Sequence, residues 1–421
     1  MTQYYDRAYE IARDCYAAFG VDTEKVLEIL KTVSLSIHCW QGDDVGGFEK
    51  PGATLSHGGI QATGNFPGKA RTINELRQDL VKALMLIPGK HRINLHAIYG
   101  EFEGARGDRD EIETGHFRGW IEWAKKHVAG IDFNSTLFSH PNAAAGFTLS
   151  SRNPEIRQFW INHVTRCRAI AAEFGKELGS PCFHNLWIPD GSKDTEIDRS
   201  GYRQRLKDSL DEIYATRYEL SLLRDSVESK LFGIGSESFV VGSHDFYLSY
   251  ALKNNLMICL DMGHFHPTES VADKISAILA FSNGIVLHIS RGVRWDSDHV
   301  PVLDDPMSDV AHEIVRCKAL DRVHLALDFF DASINRVGAW VTGARTVLKS
   351  ILIALLEPYE KLLAYENDAN LFARLALLEE MKTMPFGWVW DEFCRRQNVP
   401  MHEAWIAEII KYEHDVLRHR K

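Results

Sequence analysis

Asp261-Met262-Gly263-His264 and Trp295-Asp296-Ser297-Asp298 gather three carboxylates and an imidazole into two short segments. Each follows an apolar, β-branched run: Leu256–Leu260 before the first, Ile285–Ile289 shortly before the second. Oxygen and imidazole donors just past strand ends suit a hard-to-borderline divalent cation such as Mn2+, Mg2+ or Co2+. Such a cation polarises substrate oxygens, so the expectation is a metalloenzyme.

Further polar residues recur where other apolar runs end. They include His38 to Gln41, His96, His184 and Asn185, Glu228 and Lys230, His288, and Asp328. A single His or Asp on a strand ordinarily has a structural role, but so many at equivalent ends point to an active-site cluster. Period-two geometry puts Glu228 and Lys230 on one face of a strand, where a carboxylate and an ammonium would sit side by side. Asp296 and Asp298 also share parity. Asp261 and His264 differ by three, so they meet only if the chain turns, which Gly263 would permit.

Seven donors exceed the needs of one ion. His264, Asp296 and Asp298 could hold one ion with positions open to substrate. Glu228, His288 and Asp328 could hold a second, more enclosed one, with Asp261 as the bridge. The lack of thiolate ligands disfavours structural zinc, though Zn2+ remains among the possible ions. Trp40, Trp187 and Phe330 fit either core packing or the apolar wall of a sugar site. His266 precedes Pro267 and reads as loop support or as an extra ligand. Gly64–Ala70 only faintly resembles a phosphate loop, lacking the spaced first glycine and the hydroxyl after Lys69, and reads as a substrate-side or structural loop.

The elements that must position these residues follow from the patterning. Eight apolar runs stand out as strands: Val33–Trp40, Arg92–Tyr99, Gly130–Phe138, Pro181–Ile188, Val227–Gly235, Leu256–Asp261, Gly284–Ser290 and Arg322–Asp328. Helix-compatible stretches separate nearly all of them, among them Ile73–Leu86, Phe117–His127, Pro154–Leu178, Gln204–Leu223, Ser270–Phe281 and Ser308–Lys318. This alternation predicts an α/β fold, a (β/α)8 TIM barrel with the active site at the C-terminal strand ends. A doubly wound sheet competes, but its dinucleotide form would want a GxGxxG after the first strand, and none is there. The tail is read as helical: Ala344–Leu356, Pro358–Tyr365, Leu371–Met384 and Ala404–Leu417. The expected organisation is a catalytic barrel with an N-terminal helix over 1–340 and a helical extension over 341–421, an oligomer arm or extra packing on the barrel.

Composition narrows the function classes. The 421 residues carry 45% hydrophobic and 25% charged residues, as globular proteins do. A net charge of −10 argues against nucleic acid or an anionic membrane as partner. Seven scattered cysteines without a CxxC argue against a disulfide framework. The first residues lack a signal-peptide pattern, and no uninterrupted apolar run approaches the ~20 residues that span a bilayer. The expected location is cytoplasmic. Asn134-Ser135-Thr136 matches a glycosylation sequon and reads as chance.

Longer motifs carry a resemblance. His38–Asp44, Gly58–Arg71, Trp187–Gly191, Glu228–Gly235, Asp261–Thr268, Arg294–His299 and Leu327–Arg336 together resemble the L-rhamnose isomerase family. The resemblance runs from the N-terminal helix into the tail. It implies a homotetramer that interconverts L-rhamnose and L-rhamnulose with manganese or a related ion. It also implies His264, Asp296 and Asp298 on a catalytic ion, and Glu228, Asp261, His288 and Asp328 on a structural one. His96, Trp187 and Lys230 match substrate-contacting positions. On this footing Lys230, His96 and Asp328 are expected to serve catalysis, and Trp40, Trp187, Glu228, His264 and Asp298 to meet the sugar.

Two routes exist for such an isomerisation: a cis-enediol with a carboxylate base, or a metal-assisted 1,2-hydride shift. No carboxylate in the motifs is obviously free of metal duty, which favours the hydride shift. The rival readings are an isomerase of another aldose such as xylose, a metal-dependent phosphodiesterase barrel, and a non-catalytic sugar-binding protein. The phosphodiesterase would want a basic groove and more histidine ligands. The binding protein would leave seven metal ligands without a purpose.

Overall fold

Eight parallel strands close on themselves in the computed structural model, which describes residues 2–49, 62–102, 107–233 and 237–420. The barrel strands are β1 (Ser36–His38), β2 (Arg92–His96), β3 (Ile131–Asn134), β4 (Cys182–Trp187), β6 (Leu223–Glu228), β8 (Met257–Asp261), β9 (Ile285–Ile289) and β12 (Val323–Leu327). Their order around the barrel is the chain order, with β12 pairing back onto β1. Two small antiparallel pairs sit outside it: β5 (Gly191–Ser192) with β7 (Phe239–Val240), and β10 (Arg291–Val293) with β11 (Trp295–His299).

Helices α1 (Thr2–Ala17) and α2 (Thr23–Thr32) precede the first strand. Those between strands are α3 (Ile73–Leu84), α4 (Arg118–His127), α5 (Pro154–Leu178), α6 (Arg199–Ile213), α7 (His244–Asn254), α8 (Ala272–Leu279) and α9 (Asp305–Arg316). The chain ends with α10 (Arg336–Leu355), α11 (Tyr359–Asn367), α12 (Leu371–Met381), α13 (Phe386–Arg396) and α14 (Glu403–Asp415). Local chemistry sets several boundaries. Asn153 caps α5 through the Glu155 amide, Pro154 pre-sets the first turn, and Gly179 ends the helix at φ +63°. Asp22, Thr72, Ser243 and Asp304 cap α2, α3, α7 and α9 in the same way.

The largest departure from the sequence reading is at the fifth barrel strand. It was expected over Val227–Gly235 after a helix reaching Leu223, yet α6 stops at Ile213 and the strand begins at Leu223. Arg224 and Asp225 hide the strand by breaking its apolar pattern. Asp225 is there because it takes the buried Arg168 guanidinium of α5 at 2.8 Å, while Arg168 Nη1 also donates to the Ile213 carbonyl where α6 ends. Ile234 and Gly235, like Gly58–Gln61 of the second motif, lie outside the described residues. Asp296 and Asp298, expected in a loop, stand on the β10–β11 hairpin. In the tail, α13 was not expected, and the boundary expected at 340/341 falls inside α10. That helix packs on α2, α3 and α9. It is long and apolar enough to cross a membrane by composition, but most of it is buried against the barrel.

The N-terminal pole of the barrel is closed by one carboxylate. Asp132 of β3, 1% exposed, accepts from Ser36 Oγ at 2.6 Å, Arg92 Nη2 at 2.7 Å, the Phe183 amide at 3.0 Å and His324 Nε2 at 2.9 Å. Those partners belong to β1, β2, β4 and β12, so a single side chain ties five strands. Burial opposes the Asp132 charge, but Arg92 and His324 outweigh it and hold the carboxyl below the usual range. Asn134 is buried and donates to Asn94 Oδ1 at 2.7 Å, so the sequon lies inside the barrel. All seven cysteines are unbridged.

The C-terminus returns to the barrel mouth. Gly68, at φ +93°, has room for no Cβ because Leu417 lies against it. Arg420 Nη1 donates to the Gly68 carbonyl at 3.0 Å and to Asp79 at 2.6 Å. The Phe66 amide donates to the Ala332 carbonyl beyond β12. The Gly64–Ala70 segment is therefore a structural brace that joins the residues after β12 to those after α14. Replacing Asp132 with Asn is expected to leave Arg92 buried without its charge partner, costing about 3–5 kcal/mol; an unchanged denaturant midpoint would contradict the role given to this pole.

Candidate metal centre

The opposite pole gathers the residues singled out above. Ladder register does most of the placing. Asp261 of β8 lies directly across from His288 of β9, Cys259 across from Glu228 of β6, and Glu228 across from Trp187 of β4. One donor atom each from Glu228, Asp261, His288 and Asp328 lie within 4.8 Å of one another, and so do those from Asp261, His264 and Asp296. Asp261 belongs to both groups. Asp298 is in neither, although it stands close enough for the other carboxylates to act on its charge.

Within the first group His288 Nδ1 lies 2.9 Å from Asp328 Oδ2, 3.4 Å from Glu228 Oε2 and 3.8 Å from Asp261 Oδ2. Two neighbours hold its carboxylates in place, a role that sequence reasoning did not assign to either. Asn185 Nδ2 donates to Glu228 Oε2 at 2.5 Å, and Trp40 Nε1 donates to Asp328 Oδ1 at 3.0 Å. Asn185 was noted only as a polar strand-end residue. Its strand parity, shared with Trp187, was the available signal. Trp40 is thus neither simply core nor simply sugar wall, since its indole N–H holds the Asp328 carboxylate.

In the second group His264 connects both sets: Nδ1 lies 3.0 Å from Glu228 Oε1, and Nε2 lies 3.6 Å from Asp296 Oδ2 and 4.0 Å from Asp261 Oδ2. Gly263 does permit the approach, but through space rather than backbone freedom. A Cβ there would stand 2.6 Å from Asp296 Oδ1, and its amide donates to Asp261 Oδ1 at 2.6 Å. Lys230 lies beyond the end of β6, not on it, and its partner is Asp296 at 2.6 Å rather than Glu228. His266 is exposed and bonded to Thr268, as a loop support would be.

Aromatic rings collar the mouth. Trp40 meets His96 edge-on at 4.5 Å between centroids, His96 meets Phe138 at 5.7 Å, and Phe138 meets Trp187 at 5.8 Å. The Lys230 ammonium stands 5.2 Å from the Trp187 ring centroid. His96 is oriented through Nδ1 by the Thr136 hydroxyl at 2.8 Å.

The electrostatics are those of a crowded anionic site. Burial pushes the Asp261 carboxyl up to about 7, with Asp328 and Glu228 adding to it and His264 opposing. Burial, joined by Asp296, Asp261 and Asp328, drives Asp298 well above the carboxylate range. Burial works against the charged forms of His264 and Lys230, yet the carboxylates win: Asp261 and Asp296 hold His264 up to about 10, and Asp296 and Asp298 keep Lys230 above its ordinary value. His96 goes the other way, since burial takes it down to about 3 and leaves a neutral ring.

Several buried atoms of the cluster have no hydrogen-bond partner: Asp261 Oδ2, Asp296 Oδ1 and His288 Nε2. Unpaired buried acceptors converging from several strands are costly unless a ligand satisfies them. Carboxylate oxygens with imidazole nitrogens fit a divalent cation. Glu228, Asp261, His288 and Asp328 would hold one; Asp261, His264 and Asp296 would hold another.

A family model described as L-rhamnose isomerase matches residues 3–420. The L-rhamnose isomerase of Bacteroides thetaiotaomicron is 57% identical over 414 residues, covering 98% of each chain. Those of Rhodopirellula baltica and Klebsiella pneumoniae are 54% identical over 415 residues and 52% identical over 420 residues, and the match covers 99% and 100% of this chain and 97% and 100% of theirs.

Mn2+ at a hundredfold excess over its Kd is expected to stabilise chelator-treated protein by about 2.7 kcal/mol. Asp261→Asn removes the carboxylate common to both groups and should abolish most of that gain. A Tm indifferent to Mn2+ in the wild type would count against cation binding here.

Proposed function

The chain belongs to the L-rhamnose isomerase family, and on that footing we propose that it interconverts L-rhamnose and L-rhamnulose with the help of divalent cations, Mn2+ first among them. The observation that carries the metal dependence is the convergence of Asp261 Oδ2, Asp296 Oδ1 and His288 Nε2, none with a hydrogen-bond partner, at the barrel mouth. A bound divalent cation supplies Lewis-acid polarisation of two neighbouring sugar oxygens.

The protein side chains then have separable tasks. Lys230, held as an ammonium by Asp296, stabilises negative charge developing on a sugar oxygen. Neutral His96, anchored at Nδ1, offers Nε2 to a sugar hydroxyl and can orient the substrate or assist ring opening. Trp187, with Phe138 beside it, supplies the apolar wall against which the sugar ring face packs. Trp40 and Asn185 fix Asp328 and Glu228 so that neither swings toward the sugar as a free base. Glu228, Asp261, Asp296 and Asp328 each have a histidine or lysine partner within about 4 Å. Carbon-bound hydrogen is therefore read as passing directly between C2 and C1, a 1,2-hydride shift. Among the described residues Asp298 lies outside both groups, and an enediol route would use it as the base.

The tail reading is an oligomer arm of a homotetramer. It draws support from α12, where Leu371, Phe372 and Leu375 are 54%, 81% and 60% exposed.

Chelator-stripped protein given L-rhamnose is expected to form the ketose only after Mn2+ is restored; absence of ketose from every aldose tried would sink the isomerase reading. Lys230→Met should lower kcat about 10²–10³-fold. During turnover in D2O the product should carry no deuterium at C1 beyond what non-enzymatic exchange gives, whereas near-stoichiometric incorporation would replace the hydride shift with an Asp298-based enediol route.

A further inference from the structure

Cys259 has no part in the chemistry above, yet it sits against the metal centre. It lies on β8 two residues before Asp261, so its side chain has the same inward parity, one layer deeper in the barrel. Its sulfur, a Glu228 oxygen and a His288 nitrogen all lie within 4.8 Å of one another. The three residues are 0%, 3% and 2% exposed. His288 Nδ1 faces Asp328 and Glu228, while Nε2 has no hydrogen-bond partner, so a buried imidazole with a free nitrogen stands beside a thiol and a carboxylate.

We propose that Cys259, Glu228 and His288 form an alternative, thiolate-containing site for a soft divalent ion such as Cd2+. The proposal rests on the reading that the Glu228 group binds a divalent cation at all. Thiolate selects softer ions than carboxylate does, and a coordinating thiol gives up its proton. The S–H bond breaks, the proton leaves to solvent, a sulfur–metal bond forms, and nothing is oxidised or reduced. Glu228 and His288 are shared with the group that contains Asp261 and Asp328. A soft ion drawn toward Cys259 therefore withdraws two of that group's four donors. The two binding modes are mutually exclusive, and soft ions act as inhibitors that Mn2+ displaces.

The test is a Cd2+ titration of chelator-treated protein, read by thiolate-to-cadmium charge-transfer absorption in the ultraviolet. Wild type and Cys167→Ser, a control at another buried cysteine, should show a band that saturates at one Cd2+ per chain. Cys259→Ser should lose it. Saturating Mn2+ beforehand should weaken the apparent Cd2+ affinity at least tenfold. No band in the wild type, a band that survives in Cys259→Ser, or Cd2+ affinity unaffected by Mn2+ would each overturn the proposal. Should Cys259→Ser fail to fold, the cadmium-113 resonance of the wild type decides, a thiolate-range shift supporting the site and an oxygen/nitrogen-range shift refuting it. Calorimetric Mn2+ titration of the wild type separates the two failures: Mn2+ binding without a cadmium–thiolate signature sinks only the soft site, while no Mn2+ binding sinks the reading beneath it.

Discussion

Like charge crowded into a buried space is the constraint around which this molecule is built. Glu228, Asp261, Asp296, Asp298 and Asp328 converge at the mouth; burial and neighbouring carboxylates push Asp261 and Asp298 up, while against the same burial His288 holds Glu228 and Asp328 down. A flexible loop would relieve that repulsion by letting the carboxylates drift apart. Here three of the five are held at or just past barrel-strand ends by the ladder itself, and the two on β11 by a hairpin. The fold thus supplies rigidity to an arrangement that electrostatics alone would scatter. His264, His288 and Lys230 partly neutralise it, and their raised basicity is the counterpart of the same crowding.

The two poles of the barrel solve opposite problems with the same residue type. At the N-terminal pole Asp132 has a partner for every lone pair it presents, two of them cationic or potentially so, and the carboxylate stabilises closure. At the C-terminal pole five carboxylates meet three basic side chains, and acceptors on Asp261 and Asp296 are left unsatisfied. One pole is saturated; the other leaves buried acceptors open.

Much of this was legible in the residues. Runs ending in Asp261, His288 and Asp328 announced their strands because both faces of a parallel barrel strand are apolar until the end is reached. The shared position of Asp261 followed from its placement between the two ligand sets. What escaped notice had a common cause: partners supplied from distant sequence. Asp225 broke the pattern of β6 because Arg168 needed it. Lys230 was paired with Glu228 by local parity, whereas Asp296, sixty-odd positions away, is its partner. Asn185 and the indole N–H of Trp40 act on the carboxylates of Glu228 and Asp328, from other parts of the barrel. Asp298 shares parity with Asp296, but its backbone turns through a left-handed φ of +45°, and parity fails where a strand does not stay regular.

The bracing of Gly68 by Leu417 and Arg420 bears on the order of folding. The sheet can close at its Asp132 pole and pair β12 with β1 without the residues that follow α14. The segment over Phe66–Gly68 is joined to those residues across a sequence separation of 352 positions, longer than the one that β12 and β1 span. Its fixing at the mouth is then a late event, governed by the longest loop to close rather than by closure of the sheet.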